Sequence, residues 1–328
     1  MSSMALILGA GFSKTAGSPL AAELFDIEPF GGAQWRNRLI ERVLVAWDRW
    51  SREHDGGPEA FVTEVYRHRN EFSGLKLWQD IVQFLAMRLA QDFARWYKHD
   101  SKSSRSSDNI FEAQIPFPHE LWWDALFQRL GLEYPLTVVT TNWDIWVERG
   151  LRPRPTPRRL RPGFHYGSGK ELLAGVTGHP RSEYRRNPEI SGSVALLKLH
   201  GSISWAVEKT SLVKYGDCRP AFRGDAAMIP PIQGKETPEW LKPIWELALE
   251  KLKAATTWLI VGYSIPDYDV EIGRLLKKSG VNRPLVHVFA PHPEPIAERL
   301  GRWVDATDVI LHGPIPEACG DLADMRIL

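Results

Sequence analysis

The chain has 328 residues, of which 43% are hydrophobic, and its 41 basic and 40 acidic side chains leave a formal net charge of +1. The length is typical of two domains or of one domain with large insertions, and the hydrophobic fraction is large enough for a sizeable core. The near-zero charge argues against a general affinity for nucleic acid or anionic membranes. The two cysteines are far apart in sequence, which argues against a disulfide-built secreted domain or a four-cysteine zinc site. No apolar run approaches the ~20 residues that a membrane span needs.

The first candidate strand, residues 5–8, runs directly into a glycine-rich turn. Gly9 and Gly11 can take backbone angles closed to other residues, and they allow a phosphate to approach the main chain. Ser18, Pro19 and the apolar run at 20–25 then predict the start of a helix. A strand, a glycine turn and a helix N-terminus together favour a bound anion such as a nucleotide phosphate. The alternative is a tight strand-to-helix turn without a ligand.

This turn departs from the dinucleotide-binding fingerprint of dehydrogenases. Lys14 stands where that fingerprint needs a third glycine. A second strand that ends in an acidic residue is also expected about 20 residues further on, and none is predicted there. The sequence therefore argues against a plain dehydrogenase.

A long helical region is predicted between the first two strands of the sheet. Apolar residues at helical spacing indicate helices over 34–50, 61–66, 75–97 and 120–130, with a serine-rich loop at 101–109. We therefore divide the chain into a Rossmann-type domain, residues 1–26 and 133–328, and a helical insertion, residues 27–132. Most tryptophans of this region are expected in its core, although large aromatic faces also mark self-association surfaces. Those tryptophans are Trp35, Trp47, Trp50, Trp78, Trp96 and Trp122.

The next strand, Leu136–Thr140, ends in a polar segment. Thr141, Asn142 and Asp144 follow it, and a helix is predicted to start near Ile145 with Asp144 as its N-cap. Open α/β sheets bind ligands at the carboxyl ends of their strands, so Asn142 and Asp144 are candidate functional residues. The alternatives are a turn role for Asn142 and capping alone for Asp144.

An arginine-rich segment follows at residues 151–162, which hold five arginines and four prolines. Such a run can contact phosphates or nucleic acid. It has no interleaved aromatic residues, which weakens a single-strand-binding interpretation. A solvated, extended loop is the interpretation that the composition favours.

The strand predicted at 194–199 leads into His200 and Gly201. A lone histidine is most often structural. This one follows an apolar strand and precedes a glycine that opens space beside it, which favours a functional role.

The last third of the chain alternates strands and helices. A helix at 238–253 precedes a strand at 257–261, which runs into Gly262, Tyr263, Ser264 and Asp269 and then into a helix that ends at Lys278. A further strand at 284–290, a helix to residue 302 and an edge strand at 308–311 complete the pattern. Alternating strands and helices predict an α/β fold with a doubly wound, mainly parallel, Rossmann-like sheet.

Four of these segments together resemble the sirtuin-like family. Gly9-Ala10-Gly11-Phe12-Ser13 is similar to the family's Gly-Ala-Gly-X-Ser cofactor loop, and Thr141-Asn142-Trp143-Asp144 to its Gln-Asn-X-Asp segment. Leu199-His200-Gly201 resembles its catalytic His-Gly, and Gly262-Tyr263-Ser264 its ribose-contacting Gly-Thr-Ser turn. The resemblance spans residues 5 to 290 without the helical insertion.

The departures from that family narrow the expected activity. Deacylating sirtuins carry two Cys-X-X-Cys pairs for a structural zinc, whereas this chain holds only Cys218 and Cys319. Their Gly-Ile-Pro-Asp-Phe-Arg stretch after the first loop is missing, and Thr141 replaces a glutamine. The remaining pattern resembles the zinc-less sirtuin-like effectors of bacterial anti-phage defence, which consume NAD.

The resemblance implies a gated NAD glycohydrolase that releases nicotinamide and ADP-ribose, with NAD as its substrate and no zinc. It assigns catalysis to Asn142, His200 and Asp144. His200 can accept a proton near neutral pH, Asn142 can hold the ribose or the attacking water, and Asp144 can orient them. The residues expected to bind the cofactor are Gly9, Ala10, Gly11, Phe12, Ser13, Thr141, Gly201, Gly262, Tyr263, Ser264 and Asp269.

Two other functions stay open at this stage. An NAD-dependent protein deacylase or ADP-ribosyltransferase would use the same residues with an added peptide groove. A non-catalytic NAD or ADP-ribose sensor would bind the nucleotide without turnover.

The expected setting is a cytoplasmic protein without a membrane partner, because the first candidate strand begins at Ala5 and leaves no room for a signal peptide. Because free NAD consumption would kill the producing cell, we expect gating by homo-oligomer assembly or by a partner such as an ATPase or a phage-sensing protein. Direct binding of nucleic acid is not expected.

Overall fold

The structure is a computed structural model. It describes residues 3–14, 16–26, 38–100, 120–131, 134–151, 164–166, 194–208, 211–214, 226–232, 234 and 237–315. The predicted serine-rich loop at 101–109, Trp35 and the arginines of 152–162 lie outside these residues, as does the side chain of Trp96.

The sheet is parallel and Rossmann-like, as the alternation of strands and helices predicts. Seven strands lie in the order β10-β9-β8-β1-β2-β4-β3, and every neighbouring pair is parallel. The chain builds outward from β1 on one side and then returns to β8 on the other, which makes the sheet doubly wound. The strands are β1 (Met4–Leu8), β2 (Leu136–Thr140), β3 (Phe164–His165), β4 (Val194–Lys198), β5 (Gly201–Glu208), β6 (Ser211–Lys214), β7 (Ala226–Met228), β8 (Thr257–Val261), β9 (Leu285–Phe289) and β10 (Asp308–His312).

The remaining strands form a small antiparallel sheet in the order β6-β5-β7. Its central strand β5 begins at Gly201, directly after the histidine that ends the β4 turn. Gly201 has a φ of +78°, and a Cβ there would lie 2.0 Å from the carbonyl oxygen of Ala227. The glycine is therefore required by the close passage of β7, and it fixes the direction in which the chain leaves His200.

Nine α-helices lie within the described residues, and every predicted helix is represented except the one predicted to start at Ser18. Helices α2 to α5 fall in the predicted insertion, where α4 contacts both α2 and α3 and also reaches β5 and β7. Helix α7 packs on β2 and β4. The helices are α1 (Ala10–Lys14), α2 (Arg38–Glu53), α3 (Pro58–Arg67), α4 (Phe72–Asp100), α5 (Glu120–Leu130), α6 (Trp146–Leu151), α7 (Lys242–Ala254), α8 (Val270–Ser279) and α9 (Glu294–Gly301).

The prediction that a helix starts at Ser18 is wrong. The chain turns helical at Ala10, inside the glycine turn itself, and residues 20–25 form only a 3₁₀ turn, Ala21–Glu23. Burial decides this, because the early helical turn carries Phe12 into the core between Trp122 and Trp123, with ring centroids 6.0 and 5.8 Å away. The helix ends before Gly17, whose φ is +94°.

Buried side chains of the sheet and of helices α2 to α5 belong to one hydrophobic cluster. Trp122 is fully buried against Phe12. Trp47 and Trp50 stack on each other in the helical region, and both contact Phe61 at tilted angles. These tryptophans therefore contribute to the core, whereas the division of the chain at residues 26 and 133 remains a prediction. Across the described residues, no helix combines the length and apolarity needed to cross a membrane.

Candidate functional site

The four motif segments meet at one edge of the sheet. They follow β1, β2, β4 and β8, which are neighbours in the order β8-β1-β2-β4. Parallel strands end at the same edge, so the turns after them come together there. The strand order reverses between β1 and β8, and open α/β sheets place their ligand sites at that point.

The two glycine turns pack directly on each other at this point of reversal. A Cβ on Gly9 would lie 2.5 Å from the Cα of Tyr263, and one on Gly11 would lie 2.9 Å from the carbonyl oxygen of Gly262. Gly262 takes a φ of +60°, and a Cβ there would lie 2.2 Å from the amide nitrogen of Phe12. The glycines are thus required by backbone contact between the turns, before any ligand is considered.

The first turn also donates several of its amide groups to the protein. The N–H of Gly9 bonds the carbonyl of Val261 at 3.1 Å, that of Gly11 bonds Gly262 at 2.9 Å, and that of Phe12 bonds Gly9 at 2.9 Å. A phosphate at this turn would therefore rely on other donors than these three. Ala10, Gly11 and Thr141 are partly exposed at the rim, whereas the side chains of Phe12 and Ser13 are fully buried.

Asn142 is anchored to the first turn. Its side-chain amide donates to the carbonyl oxygen of Gly9 at 2.8 Å and to the hydroxyl of Ser13 at 3.1 Å. Its backbone N–H bonds the hydroxyl of Thr140 at 3.1 Å. Both amide hydrogens are used in this way, so Asn142 offers its side-chain oxygen, an acceptor, to any ligand.

His200 lies beside Asp269, a pairing of two buried side chains that the sequence does not reveal. The distance from His200 Nε2 to Asp269 Oδ2 is 3.8 Å, and both residues are nearly buried, with 4% and 6% exposed. The hydroxyl of Tyr263 donates to the same carboxylate oxygen at 3.3 Å. Burial, reinforced by the Asp269 charge, raises the pKa of Tyr263 well above its usual value, so the phenol stays a hydrogen-bond donor.

Asp144 is as buried as Asn142, with 5% of each residue exposed, and its assignment to catalysis stays a prediction. Its Oδ1 accepts the N–H of Trp146 at 3.0 Å at the start of α6, which is the capping role considered above. It also bonds the Ser13 hydroxyl, and burial raises the pKa of the Asp144 carboxyl while the Lys198 charge opposes that rise. Asp144 thus acts on the site through Ser13, which in turn holds Asn142.

The second glycine turn presents strained and exposed backbone. Ser264 is exposed, and its carbonyl accepts a hydrogen bond from Arg299 at 2.8 Å. Ile265 has a φ of +48°, a region that a β-branched residue rarely occupies. Its side chain is 3% exposed, so core burial stabilises this backbone conformation. Such strain is concentrated at functional sites in proteins.

A buried ion pair below the site was missed from the sequence. The ammonium of Lys198 donates to Glu148 Oε1 at 2.8 Å and also to the backbone oxygen of Asp144, and both charged side chains are 0% exposed. Tyr166 donates to the same Glu148 oxygen at 3.0 Å. The signal was a lysine at the end of an otherwise apolar strand, since lysine is almost never fully buried without a partner.

In the described part of the chain, no group of three or more His, Cys, Asp or Glu side chains could hold a metal ion.

No protein-family model and no curated protein matches the chain. The solved structures to which it is similar include Sir2 homologues, the family that the four motifs resemble. One is a Sir2 homologue mutant in complex with 2'-O-acetyl ADP ribose, at 14% identity and a TM-score of 0.47, covering 98% of this chain and 90% of that one. Another is a Sir2 homologue–NAD complex, at 15% identity and a TM-score of 0.44, covering 98% of this chain and 88% of that one. Identities at this level do not transfer an activity.

Proposed function

We propose that this protein is an NAD glycohydrolase, which cleaves NAD to nicotinamide and ADP-ribose. One observation carries the proposal. The turns after four adjacent strands bring His200 beside Asp269, and fix Asn142 on the first glycine turn, at the point where the strand order reverses. His200, Asn142 and the first glycine turn belong to the four segments that resemble the sirtuin-like NAD site, and Asp269 follows the fourth of them.

The reaction needs a proton acceptor for water and a negative charge near the sugar. The bond between ribose C1' and the nicotinamide nitrogen breaks with its electron pair going to the ring, which leaves neutral. The ribose then carries positive charge, as in glycoside hydrolysis. Water bonds to C1' and its proton passes to His200, while the Asp269 carboxylate stabilises the imidazolium that forms.

Asn142 contributes an acceptor whose position is fixed. Because its two amide hydrogens are held by Gly9 and Ser13, its oxygen faces a ligand without reorganisation. We assign this oxygen to a ribose hydroxyl or to the attacking water. Asp144 supports the assignment indirectly, because it holds the Ser13 hydroxyl.

Hydrolysis is favoured over protein deacylation by the cysteine content. The zinc module of deacylating sirtuins needs four cysteines, and the chain has two. We further propose that the activity serves bacterial anti-phage defence and is gated by homo-oligomer assembly or by a partner protein. Uncontrolled loss of NAD would harm the cell that makes the enzyme.

The test is incubation with NAD followed by chromatography for nicotinamide and ADP-ribose. Wild type is expected to form both products once it is assembled or its gating partner is added. Under the same conditions His200→Ala and Asn142→Ala are expected to lose about 100-fold or more in rate, and the exposed His292→Ala to match wild type. Full turnover by His200→Ala would refute the assignment. O-acyl-ADP-ribose formed from an acylated peptide would favour the deacylase, and calorimetric NAD binding without product would favour a sensor.

A further inference from the structure

Lys198 and Glu148 form a charged pair with no access to solvent. Lys198 is the last residue of β4, two positions before His200, and Glu148 lies on α6. Their Nζ and Oε1 atoms are 2.8 Å apart, and both side chains are 0% exposed. The pair therefore joins the strand that carries His200 to the helix that follows the Asn142 turn.

Such a pair is a poor device for stability alone. Removing two charges from water costs about as much as their attraction returns, and well-packed apolar side chains often stabilise a core equally well. The second carboxylate oxygen, Glu148 Oε2, is buried and has no hydrogen-bond partner in the part of the chain that the structure describes. The pair is thus incompletely satisfied, which points to a purpose other than packing.

The second hydrogen bond of Lys198 indicates that purpose. Its ammonium also donates to the backbone oxygen of Asp144. The turn that carries Asn142 and Asp144 is tied to β4 at its start, where the N–H of Leu199 bonds the carbonyl of Thr140 at 2.9 Å, and to β5 in its middle, where the N–H of Ile203 bonds the carbonyl of Trp143 at 2.9 Å. Lys198 holds the far end of the same turn. An apolar side chain could fill its volume but could not donate to that carbonyl.

We infer that Lys198 is a positioning residue, which sets the distance between the Asn142 turn and His200 by its bond to the Asp144 carbonyl. Glu148 is the counter-charge that keeps the ammonium buried there. The inference rests on the proposed function for its effect on turnover. Its structural content, the Lys198 bond that fixes the Asp144 end of the turn, can be tested without any activity.

Two variants separate positioning from charge balance. Glu148→Gln keeps the lysine donor but leaves its charge unpaired, so the Tm is expected to fall by about 10 °C while kcat stays within about 3-fold. The double variant Lys198→Met with Glu148→Gln removes both charges and retains an acceptor for Tyr166. Its Tm is expected within about 3 °C of wild type, with KM nearly unchanged and kcat lowered about 10- to 100-fold.

The matched control is the exposed pair of Lys242 and Glu239, changed as Lys242→Met with Glu239→Gln. It is expected to leave Tm, KM and kcat unchanged. Wild-type kcat in the Lys198 double variant would overturn the inference. So would a loss of kcat in Glu148→Gln as large as in the double variant, because the effect would then follow the charge and not the donor.

Hydrogen exchange measured by mass spectrometry gives a readout that needs no turnover. In the Lys198 double variant the peptide covering 141–147, which holds the N–H groups of Asn142 and Trp146, is expected to exchange at least about 10-fold faster, while the β8 and β9 peptides exchange as in wild type. Unchanged exchange at 141–147 overturns the inference whether or not NAD is cleaved. Faster exchange in a protein whose wild type leaves NAD intact overturns the proposed function alone.

Discussion

The two glycine turns are similar in sequence but differ in backbone conformation and in where their side chains lie. Each follows a buried strand, and each has glycine followed by a hydroxyl residue, in Gly9 to Ser13 and in Gly262 to Ser264. Neither Gly9 nor Gly11 takes a left-handed backbone, and both are required by close approach. Gly262 is required by approach and by a φ of +60° together.

The side chains of the two turns diverge accordingly. The first turn buries Phe12 and Ser13, and thereby supports Asn142 from below. The second directs Tyr263 to the Asp269 carboxylate beside His200. The shared glycine pattern therefore reflects contact between the two turns, and the neighbouring side chains distinguish the supporting turn from the one that faces the proposed site.

The largest effect is expected from Gly262→Ala. Its Cβ would meet the Phe12 amide nitrogen at 2.2 Å and would also need a left-handed backbone. We expect a loss of at least about 3 kcal/mol in unfolding free energy, measured as a fall in Tm of about 6 °C or more. Gly131→Ala is the matched control, because Gly131 has a φ of +79° and, among the described residues, no atom lies within 4 Å of a Cβ built there. It is expected to cost about 1 kcal/mol, and equal losses would show that the turns do not press on each other.

Asp269→Asn tests whether the second turn faces the chemistry. Asparagine keeps the shape and still accepts from Tyr263, but it loses the charge beside His200. We expect kcat for NAD cleavage to fall about 100-fold, or about 2.7 kcal/mol, with Tm and KM almost unchanged. Asp267→Asn, two residues away and exposed, is the control. A kcat within a factor of two of wild type would remove Asp269 from the mechanism.

An acid-sensitive contact lies on the side of the second turn. The N–H of Gly262 bonds the carbonyl of Phe289, whose ring stacks on His312 with 4.3 Å between centroids. His312 in turn faces His287, with 2.9 Å between Nε2 and Nδ1. Burial, followed by the charge on His312, lowers the pKa of His287 to about 4.

In the unfolded chain histidine has a pKa near ~6.5, which is higher than that of folded His287, so acid is expected to destabilise the fold. Below that pH the unfolded state takes up a proton that the folded His287 refuses, so stability falls progressively as the pH drops toward 4. At pH 5 the expected loss is about 2 kcal/mol. The Tm difference between pH 7.5 and pH 5 should be larger for wild type than for His287→Gln, whereas the exposed His292→Gln should match wild type. An equal Tm difference between the two pH values in all three proteins would contradict the role of His287 in this acid sensitivity.

The smallest effects are expected in the first turn, where only close approach is at stake. Gly9→Ala meets the Tyr263 backbone at 2.5 Å and Gly11→Ala meets Gly262 at 2.9 Å. We expect losses of about 1.5 and about 1 kcal/mol, read from denaturant midpoints. The ranking of the three losses, largest for Gly262→Ala, then Gly9→Ala, then Gly11→Ala, is a sharper test than their sizes. A reversed ranking would mean that the first turn tolerates an added Cβ less well than the second.

The sequence predicts what periodicity and local chemistry determine. Strands β2 and β8 and helix α5 have the predicted bounds, because apolar runs and helical spacing decide them locally. The grouping of Asn142, His200 and both glycine turns at one edge follows from strand ends in a parallel sheet.

Contacts between residues that are distant in the sequence could not be predicted from it. Nothing local shows that Lys198 meets Glu148, 50 residues away, or that Asp269 meets His200. The early start of α1 was missed for a similar reason, since it depends on where Trp122 and Trp123 pack against Phe12.

The central position of β1 has a consequence for the newly made chain. Ser3 at its start bonds Thr256, 253 residues later, and β1 completes its pairing only when β8 is present. Until then the first turn has no Gly262 to rest on and His200 has no Asp269. Because synthesis delivers residues in order and distant pairings form last, a nascent chain that has not yet reached Asp269 cannot assemble the site. If the chain has the proposed activity, fragments that stop short of Asp269 are therefore expected to be inert.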